Sequence, residues 1–343
     1  MSTATLTTRH VLRLNIRWRL SNGVPPTQVA RRCVSKEANQ TYPISPKSNY
    51  ASTLKNLNIR SNAKTVVVGS SQKLDAISQF GTNVVGFVDE SSSDLSSSIQ
   101  NVLKDALPWV LYISTKEASP VLQALRSATE VQVPLVVCST TDFKESEMDQ
   151  LREILSQSAM TRLLGPGASV FAAPHSGFAV WDKAIDGFKT GTIGIVGSGY
   201  DAIVKAVQAI QAYGQSAVFD LGNNERAGTR PCEVAEWLFS DDGTEILLVL
   251  GNGIPDMEAE VAAAYKAYAD RTPDNQRRKR MIGVIGGGSK IPWKDAGILV
   301  ASDISEAASL VKQETERLEA KREEVAQTTK QDPEKVPITD LEP

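Results

Sequence analysis

Short apolar runs rich in β-branched residues alternate with segments of helical period along most of this 343-residue chain, and that alternation leaves few folds open. Strand, helix and strand in succession pack as a parallel sheet covered by helices. The first series of runs is Thr65 to Val68, Val84 to Val88, Val110 to Ser114, Pro134 to Cys138 and a short closing run from Arg162 to Leu164. Helical segments near Leu74 to Gln79, Val121 to Ala128 and Ser146 to Ser156 fall between them. A second series begins after Gly165-Pro166. Its strands are Thr192 to Val196, Ser216 to Asp220, Glu245 to Leu250, Arg280 to Ile285 and Ile298 to Ala301; its helices are Ala202 to Ala212, Cys232 to Phe239 and Met257 to Ala269. The expected fold is α/β: a Rossmann-like unit over residues 61–164, then a flavodoxin-like unit over 165–304. A polar Pro/Ser/Asn-rich linker is expected at 37–60. A charged helix from Ser305 to about Ala326 and a disordered tail from Thr328 to Pro343 complete the chain.

The amino terminus is a separate object. Met1 to Lys36 contains no acidic residue, and Arg9, Arg13, Arg17, Arg19, Arg31 and Arg32 interleave with Val11, Leu12, Leu14, Ile16, Trp18 and Leu20. An acid-free, Arg-rich amphipathic start is the pattern of a mitochondrial transit peptide, with Arg31-Arg32 as a processing point. A disordered basic tail is the alternative. Removing residues 1–36 leaves 30 basic residues against 40 acidic, a net charge of −10. So acidic a protein is a poor nucleic-acid binder. No run of about 18 apolar residues exists to span a membrane. Cys33, Cys138 and Cys232 stand far apart, with neither a CxxC pair nor zinc spacing, which fits a reducing compartment and no metal.

Three strand-to-loop junctions carry glycines that let backbone N–H groups converge on an anion. They are Gly69-Ser70-Ser71-Gln72-Lys73, Gly197-Ser198-Gly199 and Gly286-Gly287-Gly288-Ser289-Lys290. None matches GxGxxG or the Walker pattern, and a tight βα turn without ligand is the alternative at each.

Taken in order, the motifs resemble the α subunit of succinate–CoA ligase over about residues 50–316. Pro134-Leu135-Val136-Val137-Cys138 matches the family's P-L-V-V-C strand, and Thr161-Arg162-Leu163-Leu164-Gly165-Pro166 its T-R-L-I-G-P. Gly191-Thr192-Ile193-Gly194-Ile195-Val196 matches G-R-I-G-I-V, Gly228-Thr229 the N-G-T-D-F turn, and Ala296-Gly297-Ile298-Leu299-Val300 the A-G-V-V-V of the final strand. The resemblance implies a CoA-binding-type first unit and a succinyl-CoA-ligase-type second unit.

The departures carry the functional expectation. The family phosphorylates a histidine in a G-x-x-M-G-H-A-G loop. Here Gly286 to Lys290 runs through Ile291-Pro292-Trp293-Lys294-Asp295 straight to the last strand, so the histidine loop and the helix after it are expected to be missing. The chain has only His10 and His175, one in the presequence and one in a loop. The resemblance implies carboxylates that steady the imidazole; Lys205 and Asn252 stand in their places. The family's S-R-S-G-T phosphate turn is reduced to Gly197-Ser198-Gly199-Tyr200. Its CoA loop keeps only Gly69, Ser70, Ser71, Gln72 and Lys73, and its I-T-E-G becomes Ser139-Thr140-Thr141-Asp142. These eleven loop residues, Asp142 and Tyr200 aside, are the candidate contacts for residual coenzyme A or nucleotide binding. No residue is assigned a catalytic role. The expected function is that of a catalytically inactive paralogue in the mitochondrial matrix, binding a ligase β-type subunit or itself. A working ligase subunit and a CoA or nucleotide sensor are the alternatives. On the last helix, Ala308, Val311, Thr315, Leu318 and Arg322 form a narrow stripe, expected to be either solvated or part of a partner interface.

Overall fold

The computed structural model describes residues 51–78, 82–158, 160–181, 187–222, 227–251, 253–272, 278–285 and 290–331. The segment expected to be a transit peptide, the first part of the expected linker, Asn252, Gly286 to Ser289 and the segment from residue 332 lie outside them.

The first unit alternates β1 (Thr65–Gly69), α1 (Ser71–Ser78), β2 (Val84–Asp89), α2 (Leu95–Ala106), β3 (Val110–Ser114), α3 (Ala118–Glu130), β4 (Leu135–Cys138), α4 (Glu145–Gln157) and β5 (Arg162–Leu164). The strands form one parallel sheet in the order β2-β1-β3-β4-β5. β1, β3 and β4 are buried along their whole length, which is why they read as unbroken apolar runs. Their side chains still divide by the two-residue strand period. Val66, Val68, Leu111, Ile113 and Val136 pack with Ile99, Leu125 and Leu151 of the covering helices. Val67, Tyr112, Leu135 and Val137 face the other way, into a core shared with the second unit.

The second unit comprises β6 (Val170–Ala173), β7 (Phe178–Trp181), β8 (Thr190–Gly197), α5 (Tyr200–Ala209), β9 (Gln215–Asp220), α6 (Pro231–Ser240), β10 (Ile246–Leu250), α7 (Pro255–Arg271), β11 (Arg280–Val284), α8 (Ile291–Asp295), β12 (Leu299–Ala301) and α9 (Ile304–Gln331). The sheet runs β12-β11-β10-β8-β9-β6-β7. Its five parallel strands, β8 to β12, repeat the first sheet's order, first strand between second and third. That order is the flavodoxin-like form of the doubly wound fold, so both units share it. The antiparallel β6–β7 hairpin extends the sheet past β9. Phe171 stacks on Phe219 at 5.0 Å and meets Phe178 at 5.4 Å, and these rings cover the free face of the first sheet.

The expected linker at 37–60 is corrected at its carboxyl end. Ala51–Leu57 is a 3-10 helix, and Leu57 and Ile59 are buried. The Asn56 amide donates to the carbonyls of Pro134 and Met160, each at 2.7 Å, and the Trp109 indole donates to the Asn56 carbonyl at 3.3 Å. A polar composition concealed a strap, because its asparagine spends its amide on strand-end carbonyls rather than on water.

α9 also differs from expectation. It continues to Gln331, through residues read as tail. Ala307 and Val311 are buried, and Ala308, Thr315 and Leu318 half-buried, against α5, β11 and β12. Arg322 pairs with Glu245. The apolar part of the stripe thus packs on its own sheet, and Arg322 stays exposed beside it. Among the described residues, no helix is long and apolar enough to cross a membrane.

The expected absence of a helix before the last strand is corrected, since Ile291–Asp295 forms α8, held by the burial of Trp293. Gly283 on β11 lies under the Trp293 indole, which is 1% exposed. A Cβ there would sit 1.7 Å from Trp293 Cζ3. Gly283→Ala is therefore expected to lower the unfolding free energy by about 2–3 kcal/mol, the upper part of the range for an overpacked core. Urea unfolding measures it. A cycle with Trp293→Leu should recover much of the loss by removing the clash; additive losses would refute this account.

Candidate functional site

In doubly wound sheets, ligands bind outside the strands' carboxyl ends where the strand order reverses. The first sheet reverses between β1 and β3. Gly69 ends β1, and a Cβ on it would lie 2.6 Å from the Ser114 carbonyl oxygen of β3. Strand packing alone therefore demands this glycine. Ser70 follows, and its carbonyl accepts the Lys73 and Leu74 amides at 3.0 and 3.3 Å. Ser71 and Gln72 are exposed on the first turn of α1, and that turn carries no acid. The earliest amides of a helix have no intrahelical acceptor, so this turn can receive one anionic group. Lys73 is half-buried beside it.

Ser139, Thr140 and Thr141 follow β4. The Ser139 amide donates to the Ile113 carbonyl at 2.9 Å. The Thr140 hydroxyl donates to the Thr115 carbonyl at 2.9 Å and accepts the Thr115 amide at 3.2 Å. Ser139 and Thr140 are buried; Thr141 is exposed. These groups tie β3 to β4 and leave little for a ligand. Two acids at this edge escaped the sequence reading. The Glu90 carboxylate accepts the Lys116 amide at 3.1 Å, and Asp89 ends β2. The Ser91 hydroxyl and amide hold the Asp89 carboxyl below its usual range. A visible signal existed: an acid about twenty residues beyond the first glycine turn is where such folds hold a ribose hydroxyl.

The second sheet reverses between β8 and β10. Gly197 ends β8 against Leu250, whose Cβ would lie 2.8 Å from an added Cβ; Ser198 is half-buried; Gly199 precedes α5 with φ of 97°. The decisive neighbour is Asp220, fully buried at the end of β9. Its carboxylate accepts the amides of Gly199, Gly222 and Ser169, each at 3.0 Å. Burial pushes this carboxyl above the usual range, against the pull of those hydrogen bonds. The Asp220 carboxyl thus already occupies the amide that a phosphate would seek, and Asp201 adds a second acid in the same helical turn. Lys205 is exposed on α5.

His175 is in a short 3-10 turn between β6 and β7, exposed, with Nδ1 3.1 Å from the Ser216 carbonyl. Ser216 is near the start of β9 and Asp220 at its end. The imidazole is therefore at the opposite end of the strands from Gly199, about 13 Å away along β9.

Between the units runs a charged network that the sequence did not reveal. Arg162 of β5 has a fully buried side chain. It donates to Thr53 Oγ1 at 3.0 Å and Thr229 Oγ1 at 3.1 Å, and meets Glu233 of α6 at 3.5 Å. Arg230 pairs with Glu260 of α7, and burial holds the Glu260 carboxyl above its usual range despite that guanidinium. Cys232 Sγ is 3.8 Å from Glu260. Among the described residues, no group of three or more His, Cys, Asp or Glu could hold a metal.

No family model matches the chain. Succinate–CoA ligase [ADP-forming] subunit alpha of Staphylococcus aureus is 23% identical over 220 residues, 63% of this chain and 65% of that subunit. The chain is a distant homologue of the succinate–CoA ligase α subunit. The match thus spans less than two thirds of that relative's length. Among solved structures, the dinucleotide-forming acetyl-coenzyme A synthetase 1 of Ca. Korarchaeum cryptofilum shares 17% identity at a TM-score of 0.57, over 74% of this chain and 61% of the synthetase. ATP citrate lyase from Methanothrix soehngenii, solved with citrate and coenzyme A, shares 11% at a TM-score of 0.62, over 78% and 52%. These likenesses establish the CoA-ligase-type α/β fold. The T-R-L-L-G-P segment by which the sequence resembles succinate–CoA ligase forms β5 and its exit, with Arg162 as the tie between units.

Proposed function

We propose that this chain is a non-catalytic relative of the succinate–CoA ligase α subunit that acts in the mitochondrial matrix by binding a ligase β-type subunit or a second copy of itself. The observation that carries this reading is the Asp220 carboxyl on the Gly199 amide, an acceptor already seated where a phosphoryl group would have to lie. His175, at the other end of the strands, supports it. The test is incubation of the full chain with labelled ATP or GTP, with and without a ligase β subunit, followed by sedimentation. The expected result is no acid-labile, base-stable phosphoprotein and a larger species at micromolar concentration. Phosphate on His175, or turnover abolished by His175→Ala, would establish a working ligase instead. A strict monomer that ignores the β subunit would remove the partner reading.

The matrix location rests on the acid-free segment Met1 to Lys36. Fused to a reporter, that segment should direct import and be cleaved. Deleting it should leave the protein in the cytosol; a truncated protein that still reaches mitochondria would refute the assignment.

One observation favours a sensor as the second reading. The first turn of α1, with Gly69 to Lys73 on one side and Asp89 and Glu90 on the other, fits one phosphate and one hydroxylated group of coenzyme A or a nucleotide. Bound coenzyme A supplies a thiol as acyl acceptor. The chain's own part would be confined to holding the phosphate on the α1 amides. Equilibrium dialysis against labelled coenzyme A distinguishes this reading from the first.

A further inference from the structure

A cavity of about 500 Å³ opens at the amino-terminal edge of the first sheet, the edge opposite Gly69. We infer that it is a binding site for a small anionic molecule carrying a planar apolar group. The volume lies within the range of small-molecule sites, and its walls are mostly apolar with a few polar groups at the rim, the usual make-up of such sites. Leu103 in the lining is fully buried. The Trp109 indole is half-buried and held by its hydrogen bond to the Asn56 carbonyl, so it offers a fixed ring for a planar group.

Charge defines the other half of the ligand. Arg60 and Lys64 line the cavity, both exposed, and no acidic side chain does so among the described residues. The Lys64 ammonium reaches the Ala106 carbonyl at the carboxyl end of α2, at 3.3 Å. That contact offsets the negative end of the helix. Arg60 makes no side-chain hydrogen bond or ion pair among the described residues, and its planar fork suits a carboxylate, sulfonate or phosphate.

The backbone supplies an independent observation. Among the described residues, three that are not glycine have positive φ: Asn62 at 64°, Leu107 at 44° and Gln132 at 59°. All three line this cavity, on the turns that enter β1, β3 and β4. Asparagine tolerates that region; leucine and glutamine are strained there, where glycine would not be. Leu107 caps the carboxyl end of α2, its amide donating to the Leu103 carbonyl, and Gln132 lies just past the cap of α3, helix ends where glycine is the usual residue. Two long side chains kept where glycine closes many helices, that of Leu107 70% exposed, stand at the rim of the cavity. Leu107 and Gln132 are placed as the lips of the site.

The test uses the full chain with 8-anilinonaphthalene-1-sulfonate, an aromatic sulfonate, and with the uncharged N-phenyl-1-naphthylamine, both followed by fluorescence. Saturable one-to-one binding of the sulfonate is expected, weakened about tenfold by Arg60→Glu, with the uncharged dye indifferent to that change. The double variant Leu107→Gly, Gln132→Gly should melt no lower than the parent, because it relieves strain, and should lose the sulfonate. The inference is overturned by the absence of saturable binding, by sulfonate binding that ignores both variants, or by a lower melting temperature in the glycine variant.

Discussion

Arg162→Ala is expected to cost the fold about 3–5 kcal/mol, the range for breaking a buried ion pair by removing one partner. A domain has only about 5–15 kcal/mol in total, so the variant should be close to unfolding. The guanidinium has no exposed surface and holds three partners from three elements: Thr53 on the strap, Thr229 before α6 and Glu233 within it. Removing it leaves a cavity between the units and a carboxylate without its cation. Glu233→Gln should cost less, because it opens no cavity, although the buried guanidinium then loses its counter-charge. That side chain keeps 15% exposure, its contact with Arg162 is 3.5 Å long, and the amide oxygen can still accept. Urea unfolding gives both magnitudes, and hydrogen exchange at residues 53–57 should rise in Arg162→Ala alone. A loss below about 1 kcal/mol would contradict the buried-pair account.

Asp220→Ala should cost about 3 kcal/mol or more, because it leaves three amides without an acceptor at roughly 1–3 kcal/mol each. The pH dependence follows from the direction of its shift. Burial raises the folded pKa above the unfolded one. The folded state therefore holds this proton more tightly, and the resulting stability is fully present below the ordinary aspartate pKa of about 3.9. It is lost as pH rises through the folded pKa. Compared with Asp220→Asn, the wild type should be relatively most stable near pH 4 and lose ground toward neutrality. Urea midpoints for both proteins across pH 4 to 7 measure this. A wild-type advantage that grows with pH would mean the amides outweigh burial, with the sign reversed.

Strands buried on both faces announced themselves. Ile246 to Leu250 and Val110 to Ser114 have no alternative to a parallel sheet interior. α2 did not, because Ser96, Ser97 and Ser98 are weak helix formers and its stripe is only Leu95, Ile99 and Leu103. The β6–β7 hairpin was missed for a related reason. Val170–Ala173 is four residues long, half of them alanine, and its strand character comes from pairing with β9. The glycines of the candidate site were legible as turns, but their neighbours were not. Nothing local tells that Asp220 folds back onto Gly199, although an aspartate two residues before a glycine is a turn signal. Arg162 and Glu233 are 71 residues apart, and their pairing exists only once both units are packed.

The strap also sets an order of events. Asn56 binds carbonyls 78 and 104 residues further on, and Thr53 waits for a guanidinium 109 residues away. Synthesis delivers the amino terminus first, so these residues arrive long before their seats exist. Closing loops of that length is slow relative to local structure. Residues 51–60 must therefore stay unpaired until β5 and α6 have formed, and a chain shortened past residue 60 would bring its two units together without their first-made, last-fitted part.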